Sequence, residues 1–346
     1  MGCLCQGCGR DHSRSADLSA VIIRRLLPII SLVALLPLTT AAIDRPAYGS
    51  VCERGGDQAI WVPAGEALIG DDRGYPEERP SYRVKVPGFW IDRHEVTNAQ
   101  YARFVAVTGY VTQVERQGES VVFRPPGLGE RPVEPSQWWH IVKGADWRHP
   151  EGPGSDLAGR DDYPVVQLSY ADALAYARWA GRSLPSEEQF ERAAGAGQPD
   201  TLTQPGPDAA NSWQGEFPVQ NDAVDGHKGL APVGCYKPNA FGLQDMIGNA
   251  WEWTKSWYLP GHGPMVSNES APDNPSFDPA QPDARARVIK GGSFLCAPNY
   301  CARYRPAARH AQDELYAASH LGFRTIDSAR AGPGQPAVPQ AGRHGI

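Results

Sequence analysis

The chain has 346 residues, 41% of them apolar, enough for one large core or two ordinary ones. Its formal net charge of -6 and pI near 5.9, with no Lys/Arg cluster interleaved with aromatics, exclude the footprint of a nucleic-acid binder. The 37 Gly, 32 Pro and 10 Trp argue against a helical bundle and for a loop-rich fold whose backbone needs some brace besides regular ladders.

Arg10, Arg14, Arg24 and Arg25 precede an apolar run, Leu26 to Leu38, that exits through Thr39-Thr40-Ala41-Ala42. That pattern makes residues 1–42 a signal peptide or, uncleaved, a membrane anchor. The run is short for a span and holds Pro28 and Pro37. The expected location is therefore exported, periplasmic or secreted, with a membrane tether as the alternative. Cys3, Cys5 and Cys8 lie upstream of the run, and no cysteine stands just after it for a lipoprotein anchor. Residues 43–56 read as a linker and 57–327 as one domain without internal repeats. Residues 328–346, rich in Ala, Gly and Pro, read as a disordered tail.

The folded part opens with a short strand in Ala59–Gly65, then another at Tyr82–Val86 leading to Gly88-Phe89-Trp90-Ile91-Asp92. Thr97 N-caps a helix with helical spacing from Ala99 to Val107, closed by Gly109. From Gln117 to Gly159 the Pro, Gly and Trp content predicts long surface loops. Ser169-Tyr170-Ala171-Asp172 is a capping box, placing Leu174, Ala177 and Ala180 on the inner face of a helix that Gly181 ends. Ser186-Glu187-Glu188-Gln189 repeats the device, with Phe190, Ala193 and Ala194 inward. Beyond Gly195 periodicity is nearly absent until Arg287–Gly292, and the last strand is predicted at Leu321–Thr325.

Four cysteines follow the leader: Cys52, Cys235, Cys296 and Cys301. In an exported chain they invite a disulfide framework of unspecified connectivity. Cys52 and Cys235 can pair, or Cys235 can be a small buried hydrophobe. Cys296 and Cys301 lie in Gly291-Gly292-Ser293-Phe294-Leu295-Cys296-Ala297-Pro298-Asn299-Tyr300-Cys301-Ala302-Arg303-Tyr304-Arg305. A Pro-Asn turn between them lets the two thiols converge, as a disulfide or as a thiolate pair for a soft ion such as Cu(I). Arg303 and Arg305 are placed to favour the thiolate. Zinc is disfavoured, because no further Cys or His pair completes four ligands at familiar spacing. His140, His149, His310 and His320 show no metal spacing either. His94 and Glu95, tempting as an acid/base pair, are read as helix-start packing.

The chain resembles the formylglycine-generating enzyme, or sulfatase-modifying factor, family. The resemblance is carried by Trp61-Val62-Pro63-Ala64-Gly65, Asp92-Arg93-His94-Glu95-Val96-Thr97-Asn98, Tyr163-Pro164-Val165-Val166, Arg182-Ser183-Leu184-Pro185-Ser186-Glu187-Glu188, Gly248-Asn249-Ala250-Trp251-Glu252-Trp253 and Leu321-Gly322-Phe323-Arg324. Most of these are shared across a wider superfamily, whereas the Cys296/Cys301 pair after Gly-Gly-Ser marks the active oxidases. The resemblance implies an α+β, complex C-type-lectin-like fold with little regular structure. It also implies a copper-dependent oxidase that uses molecular oxygen to convert a cysteine in a Cys-x-Pro-x-Arg-like motif of unfolded sulfatases to formylglycine.

Within that resemblance Cys296 and Cys301 bind Cu(I), and Cys301 also forms a mixed disulfide with the client. Ser293 and Trp251 line the oxygen pocket, and Tyr300 and Arg303 shape the peptide groove. Structural calcium is implied at two places: Asn211, Ser212, Asp225 and His227, and Asp245, Gly248, Ala250 and Glu252. Asp245 stands where the family commonly has asparagine, and Pro306 and Thr325 stand where eukaryotic members carry half-cystines. Two other readings compete. One is a non-catalytic binding module with a Cys296–Cys301 disulfide. The other is an iron-dependent sulfoxide synthase, for whose usual extra helical domain the chain has no room.

Overall fold

The computed structural model describes Cys52 and residues 58–127, 134–195, 203–262, 276–279 and 281–333. The leader assignment at 1–42 lies outside these residues. Among the described residues no helix is long and apolar enough to cross a membrane.

The strands are β1 (Ile60–Val62), β2 (Gly65–Ile69), β3 (Tyr82–Val86), β4 (Phe89–Ile91), β5 (Glu119–Phe123), β6 (Trp139–Lys143), β7 (Trp251–Trp257), β8 (Ala286–Lys290), β9 (Arg309–Asp313), β10 (Leu321–Gly322) and β11 (Ile326–Asp327). The helices are α1 (Asn98–Thr108), α2 (Gln113–Gln117), α3 (Tyr170–Trp179) and α4 (Glu187–Gly195). Little of the chain is regular, as the α+β lectin-like expectation requires. The central sheet runs β10-β7-β8-β9, with β10 parallel to β7 and the other pairs antiparallel. A second sheet runs β1-β4-β11, and β2-β3 and β5-β6 are two-stranded.

Capping chemistry sets the helix starts as read. Thr97 accepts from the Gln100 amide and Gly109 closes α1 at φ 66°, where only glycine turns without strain. Ser169 and Asp172 form their reciprocal box, and the Gln189 amide donates to Ser186 Oγ. The inner face of α3 is rotated from the expectation: Ala173, Tyr176 and Ala177 are buried, Leu174 is half-buried and Ala180 is exposed. The aromatic Tyr176 stacks on Tyr101 of α1 and so sets the face.

Three further expectations are corrected. The Gln117–Gly159 stretch contains the antiparallel β5-β6 pair, registered Glu119 to Lys143 through Phe123 to Trp139. The segment beyond Gly195 contains β7, whose Trp251, Trp253 and Trp257 are all buried, so no alternation marks it. Of the predicted last strand only Leu321–Gly322 is a strand, β10, and beyond its predicted end β11 joins another sheet.

The folded body also reaches past the two predicted limits. Trp90 Nε1 donates to the Ala331 carbonyl at 3.0 Å, and Arg330 lies 4.2 Å over the Trp90 ring. Arg330 and Ala331, in the stretch read as a tail, thus meet Trp90. Cys52, in the predicted linker, is disulfide-bonded to Cys235. That resolves the open pairing and fits an oxidising compartment.

Candidate active site

β8 ends in Gly291 and Gly292, at φ 92° and 77°. A Cβ on Gly292 would sit 2.6 Å from the Arg303 carbonyl oxygen, so the chain can double back there only with glycine. Two tight turns follow: the Cys296 amide donates to the Ser293 carbonyl and the Cys301 amide to the Ala297 carbonyl, both at 2.9 Å. They bring Cys296 Sγ and Cys301 Sγ to 3.6 Å as two buried thiols. Asn299 exchanges hydrogen bonds with the Phe217 backbone, and the Trp213 amide donates to the Cys296 carbonyl at 3.0 Å. The dithiol loop is thereby fastened to the segment 211–217.

The other predicted residues gather around this pair. The Ser293 amide donates to Cys296 Sγ at 3.4 Å, while Ser293 Oγ accepts from the Leu295 amide. Trp251 is buried in the same apolar cluster as both thiols. Tyr300 stacks on Phe217 with centroids 4.2 Å apart, beside the edge of Trp138. Arg303 is buried, and its Nη1 donates to Cys301 Sγ at 3.5 Å. A guanidinium in that position favours the thiolate.

Several contributors carried no sequence signal. The turn Pro76–Glu78, between β2 and β3, straps the loop. Tyr75 Oη accepts from the Ala302 amide at 3.0 Å, and its ring lies 4.1 Å from the Arg303 guanidinium. Glu77 pairs with Arg303 and Glu78 with Arg305. His310 and His320 stand near the thiols, His310 by the Trp251 ring and His320 edge-on to Trp139 at 4.8 Å. Burial, with Arg303 second, pushes His310 down to about 4, and burial pushes His320 down to about 3, so both imidazoles are neutral near pH 7. These residues are more than two hundred positions from Tyr75 in the chain, so only the fold joins them.

A cleft of about 880 Å³ opens nearby, with Phe123, Trp213, Leu230 and Phe294 among its lining.

The two oxygen-rich sets adjoin each other, because the Asn249 amide donates to the Asn211 carbonyl and Gly248 packs against the same group. In the first set, Asn211 Oδ1 is buried without a hydrogen-bond partner. Asp225 accepts from the His227 amide and the Tyr236 hydroxyl, and Ser212 is buried beside Asn211. In the second set, Asp245 Oδ1 is likewise buried and unpartnered. Glu252 holds Arg324 in a two-pronged pair at 2.7 Å for each contact, and Ala250 is fully buried. Glu95 joins them, its Oε1 accepting from Asn249 and its Oε2 unpartnered. Burial and mutual repulsion hold Glu95 well above the carboxylate range, and burial raises Asp245 and Glu252. Buried oxygens without partners are rare, and a hard cation is what such donors lack. The donor sets fit calcium, with Glu252 sharing its carboxylate with Arg324.

A third acidic group, Glu187 and Glu191 with His262, is crowded enough to suggest a metal. Its carboxylates are already taken, Glu187 by Arg309 at 2.8 and 3.0 Å and Glu191 by Lys290 at 3.0 Å. This is an internal ion network.

Residues 46–329 match the sulfatase-modifying factor enzyme 1-like domain. The chain is 42% identical over 292 residues to the formylglycine-generating enzyme of Mycobacterium tuberculosis, covering 78% of this chain and 97% of that protein. It is also 36% identical over 284 residues to a mouse protein named inactive C-alpha-formylglycine-generating enzyme 2, covering 78% of this chain and 85% of that one. Among solved structures, PvdO from Pseudomonas aeruginosa superposes with a TM-score of 0.55 at 23% identity, over 78% of this chain and 93% of PvdO, which supports the fold. The chain belongs to the sulfatase-modifying factor, or formylglycine-generating enzyme, family.

Proposed function

We propose that this protein is a copper-dependent oxidase that converts the cysteine of a Cys-x-Pro-x-Arg-like segment, in unfolded sulfatase-type clients, to formylglycine with molecular oxygen. The observation that carries the reading is the buried Cys296/Cys301 pair at 3.6 Å, with Arg303 donating to Cys301. Family membership alone would not carry it, because one matching relative is named inactive. Two thiolates are the donor set a soft ion prefers, so Cys296 and Cys301 would hold Cu(I), which supplies oxygen activation when bound. Arg303 keeps Cys301 in its anionic form, and Tyr75 and Glu77 hold Arg303 in place. Trp251 and its apolar neighbours keep water from the thiols, and Ser293 offers a hydroxyl and an amide beside them. Tyr300 and Trp138 give the client an aromatic wall, and the 880 Å³ cleft has room for an extended flanking segment. Two electrons and two protons pass from the client CH2–SH to molecular oxygen, giving a thioaldehyde and hydrogen peroxide, and water then hydrolyses the thioaldehyde to the aldehyde with release of hydrogen sulfide.

Calcium at the two oxygen-rich sets would brace the loops that anchor the dithiol segment. The Cys52–Cys235 disulfide supports a reaction outside the cytoplasm, where clients would be met during or just after translocation. The test is to incubate the Cu(I)-loaded full chain under air with a Cys-x-Pro-x-Arg peptide and follow its mass and aldehyde content. Aldehyde is expected from the wild type and not from Cys296→Ser or Cys301→Ser. No aldehyde from folded, copper-loaded protein would sink the reading.

A further inference from the structure

Cys235, joined to Cys52, sits between two residues that each serve one of the oxygen-rich sets. On one side the Gly234 amide donates to Asp245 Oδ2 at 2.6 Å. On the other the Tyr236 hydroxyl donates to Asp225 Oδ2 at 3.0 Å. Gln244 ties the two together, its Nε2 donating to the Gly234 and Tyr236 carbonyls at 3.0 and 3.1 Å. A three-residue segment thus orients one carboxylate in each set, and its central residue is crosslinked to a position 183 residues away. Residues 234–236 belong to no helix or strand. The crosslink and these hydrogen bonds are what fix them.

We infer that the Cys52–Cys235 disulfide is a redox-sensitive brace that sets calcium affinity at both sites, acting through Gly234 and Tyr236. The inference rests on the calcium reading above. Both half-cystines are only half-buried, so a dithiol reductant reaches them. Its thiolate attacks one sulfur and expels the other, and its second thiol then closes the reagent's own disulfide. Two electrons and two protons end on Cys52 and Cys235. Once the bond is open, the 234–236 segment keeps only its hydrogen bonds, and the two donors hold the carboxylates less firmly. Residues that orient a metal's ligands typically carry about 10–100-fold of its affinity. Exported protein is thereby calcium-competent only once oxidised, which couples its maturation to the redox state of its compartment.

The test is calorimetric titration of the full chain with calcium chloride, with no reductant, so that Cys296 and Cys301 are left alone. Wild type is expected to bind two ions, and the Cys52→Ala/Cys235→Ala variant to bind both about 10–100-fold more weakly. Tyr236→Phe keeps the disulfide and removes one hydroxyl, and is expected to weaken one binding step about tenfold and spare the other. A folded double variant with wild-type affinity at both sites would overturn the inference. If the double variant does not fold, unchanged affinities in Tyr236→Phe would overturn it instead. Wild type that takes up no calcium would sink the calcium reading itself, and the inference with it.

Discussion

Two buried ionic clusters adjoin the turn that launches the dithiol loop, one through Lys290 and the other through the Gly248 amide, which donates to the Gly291 carbonyl. The first sets the carboxylates of Glu187 and Glu191 against Lys290 and Arg309, two of each sign. The second sets Glu95, Asp245 and Glu252 against Arg324 alone and leaves oxygens of Glu95 and Asp245 unpartnered. By proximity the first looks more like a metal site. Charge arithmetic reverses that ranking. A cluster whose charges are already matched has nothing to gain from a cation, whereas one with surplus buried negative charge does.

The largest expected effect that would break this comparison is Lys290→Met. It strands the buried Glu191 carboxylate, while Glu187 keeps Arg309, and should cost about 3–5 kcal/mol in denaturant unfolding, with or without calcium. An unaltered midpoint would show that Lys290 is not the counter-charge. Calcium removal comes next. Chelation should lower stability by about 3 kcal/mol relative to protein in calcium at a hundred times its dissociation constant. Full stability in the chelator would argue against a bound ion.

Glu187 and the carboxylates of the second cluster should also give opposite pH slopes, while Glu191, which burial raises, follows the second cluster. Glu187 is held below the carboxylate range because Arg309, Lys290 and His262 outweigh its burial. Its contribution is present above its unfolded pKa and lost as pH falls through the folded value. Glu95, Asp245 and Glu252 are raised, so stability is fully present below their unfolded pKa and lost as pH rises through the folded ones. Melting temperature against pH should therefore fall on the alkaline side in chelator, and calcium should reduce that fall, leaving the part that comes from Glu191 and Glu78. His310 and His320, pushed down to about 4 and about 3, add an acid limb that begins near the ordinary histidine value of 6.5. An alkaline limb insensitive to calcium would contradict the assignment.

Asp245→Asn removes one surplus charge. It should stabilise the calcium-free protein by about 1 kcal/mol while weakening calcium binding, two changes of opposite sign. The smallest effect is the control. Arg83→Ala breaks an exposed pair with Glu66, 67% and 57% exposed, and should change stability by less than about 0.5 kcal/mol.

Much of the frame was legible in the sequence because it is written locally: the N-cap at Thr97, the capping boxes at Ser169 and Ser186, the glycine stop at Gly109, and the Gly-Gly-Ser turn before the thiols. Ser293, Trp251, Tyr300 and Arg303 lie around the two thiols in the fold. β7 escaped because a strand buried on both faces has no alternation to detect. The β5-β6 pair escaped because loop-type composition masked it. The strap from Tyr75 to Glu78 and the place of Glu95 in the second cluster escaped because each reaches its site across a long stretch of chain, which no spacing rule carries. His310 and His320 follow Cys301 closely, but their spacing to the thiols marks no familiar motif.

The central claim is that Cys296 and Cys301 work as a copper-binding thiol pair. The most direct measurement is to titrate thiols in the native, oxidised full chain and then count the Cu(I) it retains against a competing chelator. The account predicts that peptide mapping finds Cys296 and Cys301 as free thiols, beside any of Cys3, Cys5 and Cys8 that the chain retains, and that either serine variant holds one Cu(I) fewer than wild type. A Cys296–Cys301 disulfide that persists in native protein, with no copper retained, would contradict it.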